Sequence, residues 1–330
     1  MTQRMTDDLV ALFEKAEHEG RCMLVRSDTQ RKALLRRRDA DQSDAERLAP
    51  SVYARISHLD DLSPRASAFQ LIRALALKHP EWVFCGLSAA ILHGLYVSYS
   101  DIRPQGKLVV HVMGSKRRAE YDRFIVQPHR PPPYQARIVR VQEAQATDEL
   151  ATAVACARTL PFPKALAIMD SLLRFSSTDR ERALRELERV GAHARGVAVT
   201  QRAILHANGA SENGGESIAR GIMIEEGFQE PELQVPIYNA LDDEDYYVDF
   251  VWHLSDGSMV FGEFDGGEKF SSEEMRDGKS ISEVARDERL RESRLTLHGT
   301  PVLRFTPRML NDRAGFVRLL NAYGVPRNQS

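Results

Sequence analysis

The stretch at 246–270, YYVDFVWHLSDGSMVFGEFDGGEKF, constrains the fold more than any other part of this sequence. Two short apolar runs, at 250–252 and 259–261, flank the turn-forming sequence Ser-Asp-Gly at 255–257. Apolar runs of this length, joined by polar residues and a glycine, predict a β-hairpin. The Gly-Gly pair at 266–267 predicts a further turn where the second strand ends.

Three acidic residues lie at the ends of the predicted strands. Asp249 precedes the first apolar run, and Glu263 and Asp265 follow the second. Because successive side chains of a strand alternate between faces, Glu263 and Asp265 are expected to share one face, with Asp249 near them across the hairpin. Three adjacent carboxylates repel one another unless protons or a cation neutralise them. Oxygen-rich clusters of this kind suit Mg²⁺ or Mn²⁺, so the sequence predicts a divalent-metal site.

A characteristic order of residues surrounds this hairpin. Glu216 lies upstream in GGESIARGIMIEEGF, and a predicted helix with Arg286-Asp287-x-Arg289 and an apolar strand at 301–305 lie downstream. This order, with E-x-D-G at 263–266, resembles the PD-(D/E)XK nuclease superfamily, and most closely its branch related to very-short-patch-repair endonucleases. The resemblance implies a restriction-endonuclease-like α/β/α domain at 216–330. It also implies a divalent-metal-dependent endonuclease that cleaves DNA phosphodiester bonds.

The same resemblance implies a role for each residue of the site. Asp249 and Glu263 are the expected direct metal ligands, and the backbone carbonyl of Phe264 is the expected third oxygen. Glu216 would hold the metal through water. Gln234 would position the attacking water or the helix that carries Glu216.

The chain departs from the family pattern at the lysine of (D/E)-x-K, a position that Asp265 occupies here. Asp265 is expected to be a further ligand or a turn residue that binds backbone N–H groups. Lys269 is the candidate for orienting the water or stabilising the transition state. Arg286 and Arg289 are expected to contact DNA phosphate or to pair with an acid of the site. The departure leaves open whether the domain retains catalysis.

The first 60 residues predict a winged helix-turn-helix-like domain that binds DNA. An amphipathic helix at 7–19 precedes a helix in TQRKALLRRRDA, which Ser27 or Asp28 would cap, and a short strand pair in RLAPSVYARI follows. The alternative is a solvated basic face on an ordinary helix bundle, because acids in this segment roughly balance the bases. The candidate DNA-binding side chains of the second helix are Arg31, Lys32, Arg36, Arg37 and Arg38.

Residues 61–207 predict a mixed α/β body, and the Gly-, Asn- and Ser-rich stretch at 208–215 predicts a linker. Helices are expected after the caps Ser63 and Thr147-Asp148, and also in 179–193 and 196–207. Three features in chain order resemble the abortive-infection antitoxin family of type IV toxin–antitoxin systems. They are the predicted wing at 47–54, the segment CGLSAAILHGL and the helix pair ATAVACARTLPFPKALAIMDSLLR. This resemblance implies a DNA-binding head and transcriptional autoregulation, and it leaves a toxin partner open.

The net charge, the cysteines and the length of the apolar runs limit the class of protein to which the chain can belong. The net charge of -2 gives no overall attraction to nucleic acid, so DNA binding must come from local basic patches. Three widely spaced cysteines fit a reducing cytosol, and no apolar run reaches the ~20 residues of a membrane helix. His93 in SAAILHGL is expected to be a packed histidine with a backbone partner, since no serine elbow or acid lies nearby to complete a triad.

Taken together, we expect a cytoplasmic α/β chain, α+β overall, that has no membrane partner. Two functions stay open. One is a DNA-binding protein with a metal-dependent endonuclease domain. The other is a non-catalytic, antitoxin-like transcriptional regulator that uses a degenerate nuclease fold as a platform for DNA or a partner.

Overall fold

The computed structural model describes residues 3–38, 44–114, 118–121, 123–130, 136–190, 195–239, 243–266 and 299–328. The chain divides into two compact units, one made of Met1–Thr159 with Glu181–Val197 and the other of Leu160–Arg180 with Ala198–Ser330. Each unit mixes helices and sheets, which agrees with the expected α/β class. Among the described residues, no helix has both the length and the apolar character that crossing a lipid bilayer demands.

The described elements are numbered here in chain order. The helices are α1 (Gln3–His18), α2 (Asp28–Arg38), α3 (Ile56–Asp60), α4 (Pro64–Lys78), α5 (Gly86–Leu92), α6 (Tyr99–Ile102), α7 (Glu149–Ala157), α8 (Phe162–Phe175), α9 (Arg180–Val190), α10 (Val197–His206), α11 (Gly214–Glu225), α12 (Pro307–Asn311) and α13 (Arg313–Ala322). The strands are β1 (Met23–Leu24), β2 (Ala45–Ala49), β3 (Val52–Arg55), β4 (Val83–Phe84), β5 (Leu108–Met113), β6 (Ala119–Glu120), β7 (Phe124–His129), β8 (Ile138–Val141), β9 (Ala144–Thr147), β10 (Glu232–Asn239), β11 (Glu244–His253), β12 (Met259–Phe264) and β13 (Val302–Phe305).

The first unit begins with two helices and a small antiparallel sheet of order β1-β3-β2. Ser27 Oγ accepts a hydrogen bond from the Gln30 N–H at 3.2 Å, which caps α2 as expected. Ser51 has a φ of 63° in the turn that joins β2 to β3. Leu34 of α2 and Tyr53 of β3 are buried in the core that these elements share with α1. The two predicted helices and the strand pair are therefore confirmed.

The rest of the first unit is built on a six-stranded sheet of order β6-β7-β5-β4-β9-β8. The pairs β5–β7 and β4–β9 are parallel, whereas β4 and β5 are antiparallel. The predicted caps Ser63 and Asp148 accept hydrogen bonds from backbone N–H groups at the starts of α4 and α7. His93 Nε2 lies 2.8 Å from the carbonyl oxygen of Thr147, which is the backbone partner expected for a packed histidine.

The second unit contains a four-stranded sheet of order β10-β11-β12-β13. The pairs β10–β11 and β11–β12 are antiparallel, and the pair β12–β13 is parallel. Phe250 pairs with Gly262, which confirms the predicted hairpin, and Gly257 has a φ of 85° in its turn. Pro236 lies on the edge strand β10, a position where a residue without an N–H is tolerated. Residues of α11 and α13 share one core with this sheet, which includes Met223, Phe250, Trp252, Phe305 and Phe316.

The division into units differs from the boundary predicted at 208–215. Helix α8 and most of α10 belong to the second unit, although they precede that stretch. Asp170 of α8 forms two hydrogen bonds of 2.9 and 2.8 Å to Arg220 of α11, and both side chains are buried. Asp170 also accepts a hydrogen bond from the Asn208 N–H at 3.0 Å. The predicted linker is thus part of the second unit, where it is bonded to α8 and leads into α11.

Candidate functional site

Four polar residues occupy neighbouring positions across the sheet of the second unit, one on each strand. The β10–β11 register on both sides of Gln234 places it opposite Asp249, and the β11–β12 register, extended by one residue, places Asp249 opposite Glu263. Glu263 is in turn the partner of Arg304 on β13. Residues directly opposite each other in a sheet are neighbours across the strands. The register therefore aligns four polar positions in a row across the sheet, although Val248 and Val251 of β11 share one cluster while Phe250 lies in another, so the side chains of β11 do not simply alternate here.

Glu216 joins this row from the first turn of α11. Asn213 caps the helix, because its Oδ1 accepts hydrogen bonds from the N–H groups of Gly215 at 2.8 Å and Glu216 at 3.1 Å. The Glu216 carboxylate reaches back and accepts hydrogen bonds from the Glu212 N–H at 2.7 Å and from the Asn213 side-chain amide. This arrangement is a variant of the capping box. Glu216 therefore stabilises the start of α11 in addition to any role in chemistry.

Gln234 connects the two acids. Its Nε2 donates a hydrogen bond of 2.9 Å to Asp249 Oδ1 and lies 3.4 Å from Glu216 Oε2. The second oxygen of Asp249 accepts a hydrogen bond of 2.8 Å from the Phe264 N–H. Gln234 has a φ of 52°, which is uncommon for a residue with a side chain. Residues with such backbone strain tend to lie at functional sites, where the surrounding structure holds them in place.

The environment of Glu216 disfavours negative charge. Glu216 is 2% exposed, and Glu263 is 6% exposed. Burial, followed by repulsion from the Asp249 carboxylate, raises the pKa of Glu216 to about 8. A side chain with this pKa is largely protonated at neutral pH as long as no cation lies beside it. Strongly shifted carboxyl groups of this kind are more frequent at functional sites than elsewhere.

The start of α11 is packed directly against the end of β12. A Cβ atom added to Gly215 would lie 2.3 Å from two ring atoms of Phe264, so only glycine fits at this position. The Phe264 carbonyl accepts a hydrogen bond of 3.0 Å from the Gly266 N–H. A carbonyl oxygen has two lone pairs, so this contact leaves the predicted role of Phe264 as a third ligand open.

Asp265 lies beyond the last residue of β12 and bonds to the next strand. Its N–H donates to the Phe305 carbonyl at 2.9 Å, and its Oδ1 lies 3.3 Å from Arg304 Nη1. Arg304 was not among the site residues predicted from the sequence. The signal available for it was a charged residue inside the apolar strand PVLRF.

The structure thus brings together most of the predicted site. Gln234 contacts both Glu216 and Asp249, the β11–β12 register extended by one residue puts Glu263 beside Asp249, and Asp265 contacts Arg304. Within the described ranges, no group of three or more His, Cys, Asp or Glu side chains is placed as a metal-binding cluster. The acids nevertheless present carboxylate oxygens, which are the ligands that Mg²⁺ and Mn²⁺ prefer. Three predicted residues lie outside the described part of the chain: Lys269, Arg286 and Arg289.

The candidate DNA-binding residues lie on α2 in the first unit. Arg31, Lys32 and Arg36 are exposed. Arg31 forms an ion pair of 2.7 Å with Asp28, so part of its charge is offset within the helix. The side chains of Arg37 and Arg38 lie outside the described residues.

The chain is similar to two uncharacterized proteins of Mycobacterium tuberculosis, one from strain CDC 1551 and one from strain H37Rv, each 38% identical over 120 residues. Each alignment covers 36% of this chain and 42% of the relative, so the chain matches less than half the length of these proteins. No family model and no solved structure matches the chain.

Proposed function

We propose that this chain is a cytoplasmic DNA-binding protein whose C-terminal unit is a PD-(D/E)XK-type endonuclease, which cleaves DNA phosphodiester bonds with Mg²⁺ or Mn²⁺. The observation that carries the proposal is the Gln234 amide, which contacts Asp249 at 2.9 Å and Glu216 at 3.4 Å. This contact joins acids from a helix and a strand into one site, next to Glu263. It is the arrangement that the resemblance requires.

The order of elements in the second unit supports the nuclease-like fold. Helix α11, which carries Glu216, precedes the antiparallel strands β10, β11 and β12, and the closing strand β13 pairs in parallel with β12. Asp249 lies on β11 and Glu263 on β12, as expected for this family. Fold and activity are separate questions, so the proposed activity depends on the site residues themselves.

The residues divide the work of the proposed reaction. Asp249, Glu263 and the carbonyl of Phe264 would hold the metal directly, and Glu216 would hold it through water. A bound divalent ion supplies positive charge for the phosphate and lowers the pKa of an attacking water. Gln234 fixes one oxygen of Asp249, and the N–H of Phe264 fixes the other at 2.8 Å. These two bonds orient the Asp249 carboxylate before any ligand arrives.

The first unit supports DNA binding. Helices α1 and α2, followed by the β2–β3 hairpin, have the order of a winged helix-turn-helix, and α2 exposes Arg31, Lys32 and Arg36. Duplex binding by these residues would be sensitive to salt, because each phosphate contact releases counterions. The triple variant with alanine at all three positions should reduce the salt slope by about one for each phosphate that is no longer bound. Arg185→Ala, an exposed change on α9, is the matched control and should leave the slope unchanged.

A cleavage assay tests the nuclease proposal. Purified protein is incubated with duplex DNA and Mg²⁺ or Mn²⁺, beside Glu263→Gln and the control Glu232→Gln, which changes an exposed acid on the same sheet. We expect cleavage by the wild type and the control, and a loss of about 100-fold or more in Glu263→Gln. Equal cleavage by all three proteins, or no cleavage by the wild type, would contradict the proposal.

One observation favours a second candidate function. Asp265 stands where the family has its lysine and contacts Arg304, so the site lacks the usual catalytic cation at that position. This favours a non-catalytic, antitoxin-like transcriptional regulator, in which the nuclease-like domain serves as a platform for DNA or a toxin partner. Salt-sensitive binding to its own promoter in EDTA, without cleavage in either metal, would support this alternative.

A further inference from the structure

The outer half of the β10–β11 hairpin has an exposed face that the candidate site does not use. The register pairs Pro236 with Tyr247 and Tyr238 with Asp245. All four residues are exposed, and Tyr238 and Tyr247 retain 63% and 54% of their accessible surface. The alternating positions pack into the apolar cluster on the other side of the hairpin; they are Val235, Ile237, Tyr246 and Val248. The four exposed residues therefore share one side of the hairpin, and together they form the tyrosine face.

The turn end of this hairpin is acidic. Asp243, Glu244 and Asp245 follow one another in the chain, and all three are exposed. The Tyr238 hydroxyl donates a hydrogen bond of 2.8 Å to Asp243 Oδ1, so the first ring lies beside the acids. From residue 232 to residue 253 the sequence contains no lysine and no arginine. The hairpin is thus an acidic surface with two exposed aromatic rings and no lysine or arginine of its own.

We propose that the tyrosine face is a docking surface for an arginine-rich segment of a partner protein. A guanidinium is planar, so it stacks on the face of a tyrosine ring while its N–H groups bind a carboxylate. Tyr238 and Asp245 lie opposite each other in the hairpin, so one arginine can contact both. The contact uses the faces of the rings, and the hydroxyl groups keep the bonds that they form within the chain. The inference holds whether or not the second unit cleaves DNA.

Charge selects a basic protein segment over nucleic acid as the occupant. A tyrosine ring also stacks on a nucleobase, and this stacking is common in proteins that bind single strands. The phosphates of such a strand would lie near Asp243, Glu244 and Asp245, however, and their repulsion opposes binding. An arginine-rich segment has the complementary charge, which favours both encounter and orientation.

The hairpin also indicates how the segment is bound. Strand β10 lies at the edge of the sheet, where a partner could add a strand through backbone hydrogen bonds. Pro236 offers no N–H group to such a strand, so the contact is expected to use side chains. Lysine fits this surface less well than arginine, because its ammonium group is compact and more strongly hydrated and has no plane to stack on a ring.

The test measures the anisotropy of fluorescein-labelled nona-arginine and nona-lysine peptides with the full chain at low and high salt. The first variant is Tyr238→Thr with Tyr247→Thr, which removes both rings and keeps residues suited to a strand. The second is Glu244→Gln with Asp245→Asn. We expect each double variant to bind nona-arginine about tenfold more weakly than the wild type. Nona-lysine should bind the wild type at least about threefold more weakly than nona-arginine, and both affinities should fall with salt.

Matched controls separate this surface from the other acids and aromatic residues of the chain. Tyr99→Ala removes an exposed ring of α6, and Asp60→Asn with Asp61→Asn neutralises two adjacent exposed acids of the first unit. Both controls should bind as the wild type does. Phenylalanine at 238 and 247 keeps the rings and should retain affinity within about twofold. A thermal melt verifies folding, and Tyr238→Thr alone, with an expected loss of about threefold, decides the matter if the double variant melts early.

Three outcomes would overturn the proposal. The first is equal binding of nona-arginine by the wild type and the threonine variants, or a loss in the variant of the two acids alone, which would indicate general attraction between charges. The second is a labelled single-stranded oligonucleotide that binds the wild type and is lost in the threonine variants, which would assign the face to nucleic acid. The third is self-association of the wild type, measured by sedimentation, that the threonine variants abolish, which would assign the face to a second copy of the chain. Ordinary exposed side chains, which are common on protein surfaces, would give the first outcome.

Discussion

Helix α11 carries two buried charged residues one turn apart, and the protein surrounds them in opposite ways. Arg220 is 1% exposed and contacts Asp170, which is 2% exposed, through two hydrogen bonds. Glu216 is also almost fully buried, but its hydrogen-bond donors are the Glu212 N–H and the amides of Asn213 and Gln234, and its charged neighbour is the acid Asp249. The first cluster is balanced within the chain. Within the described ranges, the Glu216 carboxyl is surrounded by neutral donors and another acid, so protons or a cation would balance it.

This contrast separates a structural cluster from a functional one. A buried ion pair with both partners present holds two elements in one arrangement, here α8 and α11. Two acids that share a neutral amide destabilise the protein at high pH, and such an arrangement is expected where a ligand offsets the charge. Four substitutions test the contrast through the free energy of unfolding, measured by urea denaturation in EDTA.

Breaking the balanced cluster should have the largest effect. Asp170→Ala leaves the Arg220 guanidinium buried without its carboxylate, so we expect a loss of about 3–5 kcal/mol in the free energy of unfolding. The Asn208 N–H also loses its acceptor. A loss below about 1 kcal/mol would show that Arg220 finds another partner or reaches water, and the contrast between the clusters would fail.

Glu216→Gln should have the opposite sign at high pH. Because the pKa of Glu216 is raised from 4.5 to about 8 in the folded state, the unfolded chain loses this proton first as the pH rises. The wild type should therefore lose stability between about pH 4.5 and pH 8, and Glu216→Gln should lack that decline. We expect the variant to gain about 2–3 kcal/mol relative to wild type between pH 5 and pH 9. Glu232→Gln is the control, and parallel curves for wild type and Glu216→Gln would refute the assignment.

Gln234→Leu should cost less than the loss of Asp170. The leucine keeps the size of the side chain and removes the N–H group that contacts Asp249 and Glu216. We expect a loss of about 1–2 kcal/mol at pH 9, because an acceptor loses its donor in a partly buried site. At pH 5, where Glu216 is protonated, the loss should be smaller. A loss of equal size at both pH values would indicate a packing defect instead.

Glu230→Gln should have the smallest effect. Glu230 lies 3.5 Å from Arg220 Nη1 and contacts His206, but its side chain is 41% exposed. Solvent screens this interaction, so we expect a change below about 1 kcal/mol in the free energy of unfolding. A loss as large as that of Asp170→Ala would mean that Glu230 belongs to the balanced cluster and contributes to it fully.

The sequence was most informative where the signal is local. The hairpin around Gly257 and the cap at Ser27 follow from turn chemistry and capping, and the structure confirms them. The helix that carries Glu216 was expected from the family resemblance, and it is present as α11. The register of the hairpin then places Asp249 opposite Glu263 without further information. Asp265 was expected to share a face with Glu263, but β12 ends at Phe264. The alternation of side chains therefore does not extend to Asp265.

The long-range pairs could not be predicted from spacing. The contacts between Asp170 and Arg220 and between Asp265 and Arg304 depend on how α8 and β13 pack, and one sequence gives no direct signal for that packing. The predicted boundary at 208–215 differs from the division into compact units for the same reason. The composition of 208–215 correctly indicates a turn-rich segment. Only tertiary contacts reveal that α8 and most of α10, which precede this segment, belong to the second unit.

The close approach of Gly215 to the Phe264 ring has a consequence for how the site is held. With no space for even a methyl group between them, the first turn of α11 and the ring at the end of β12 are in close contact. The spacing of the acids on these two elements therefore depends on this packing. A larger side chain at position 215 would push the start of α11 away from β12. The carboxylates would then lie farther apart, although none of them would be changed chemically.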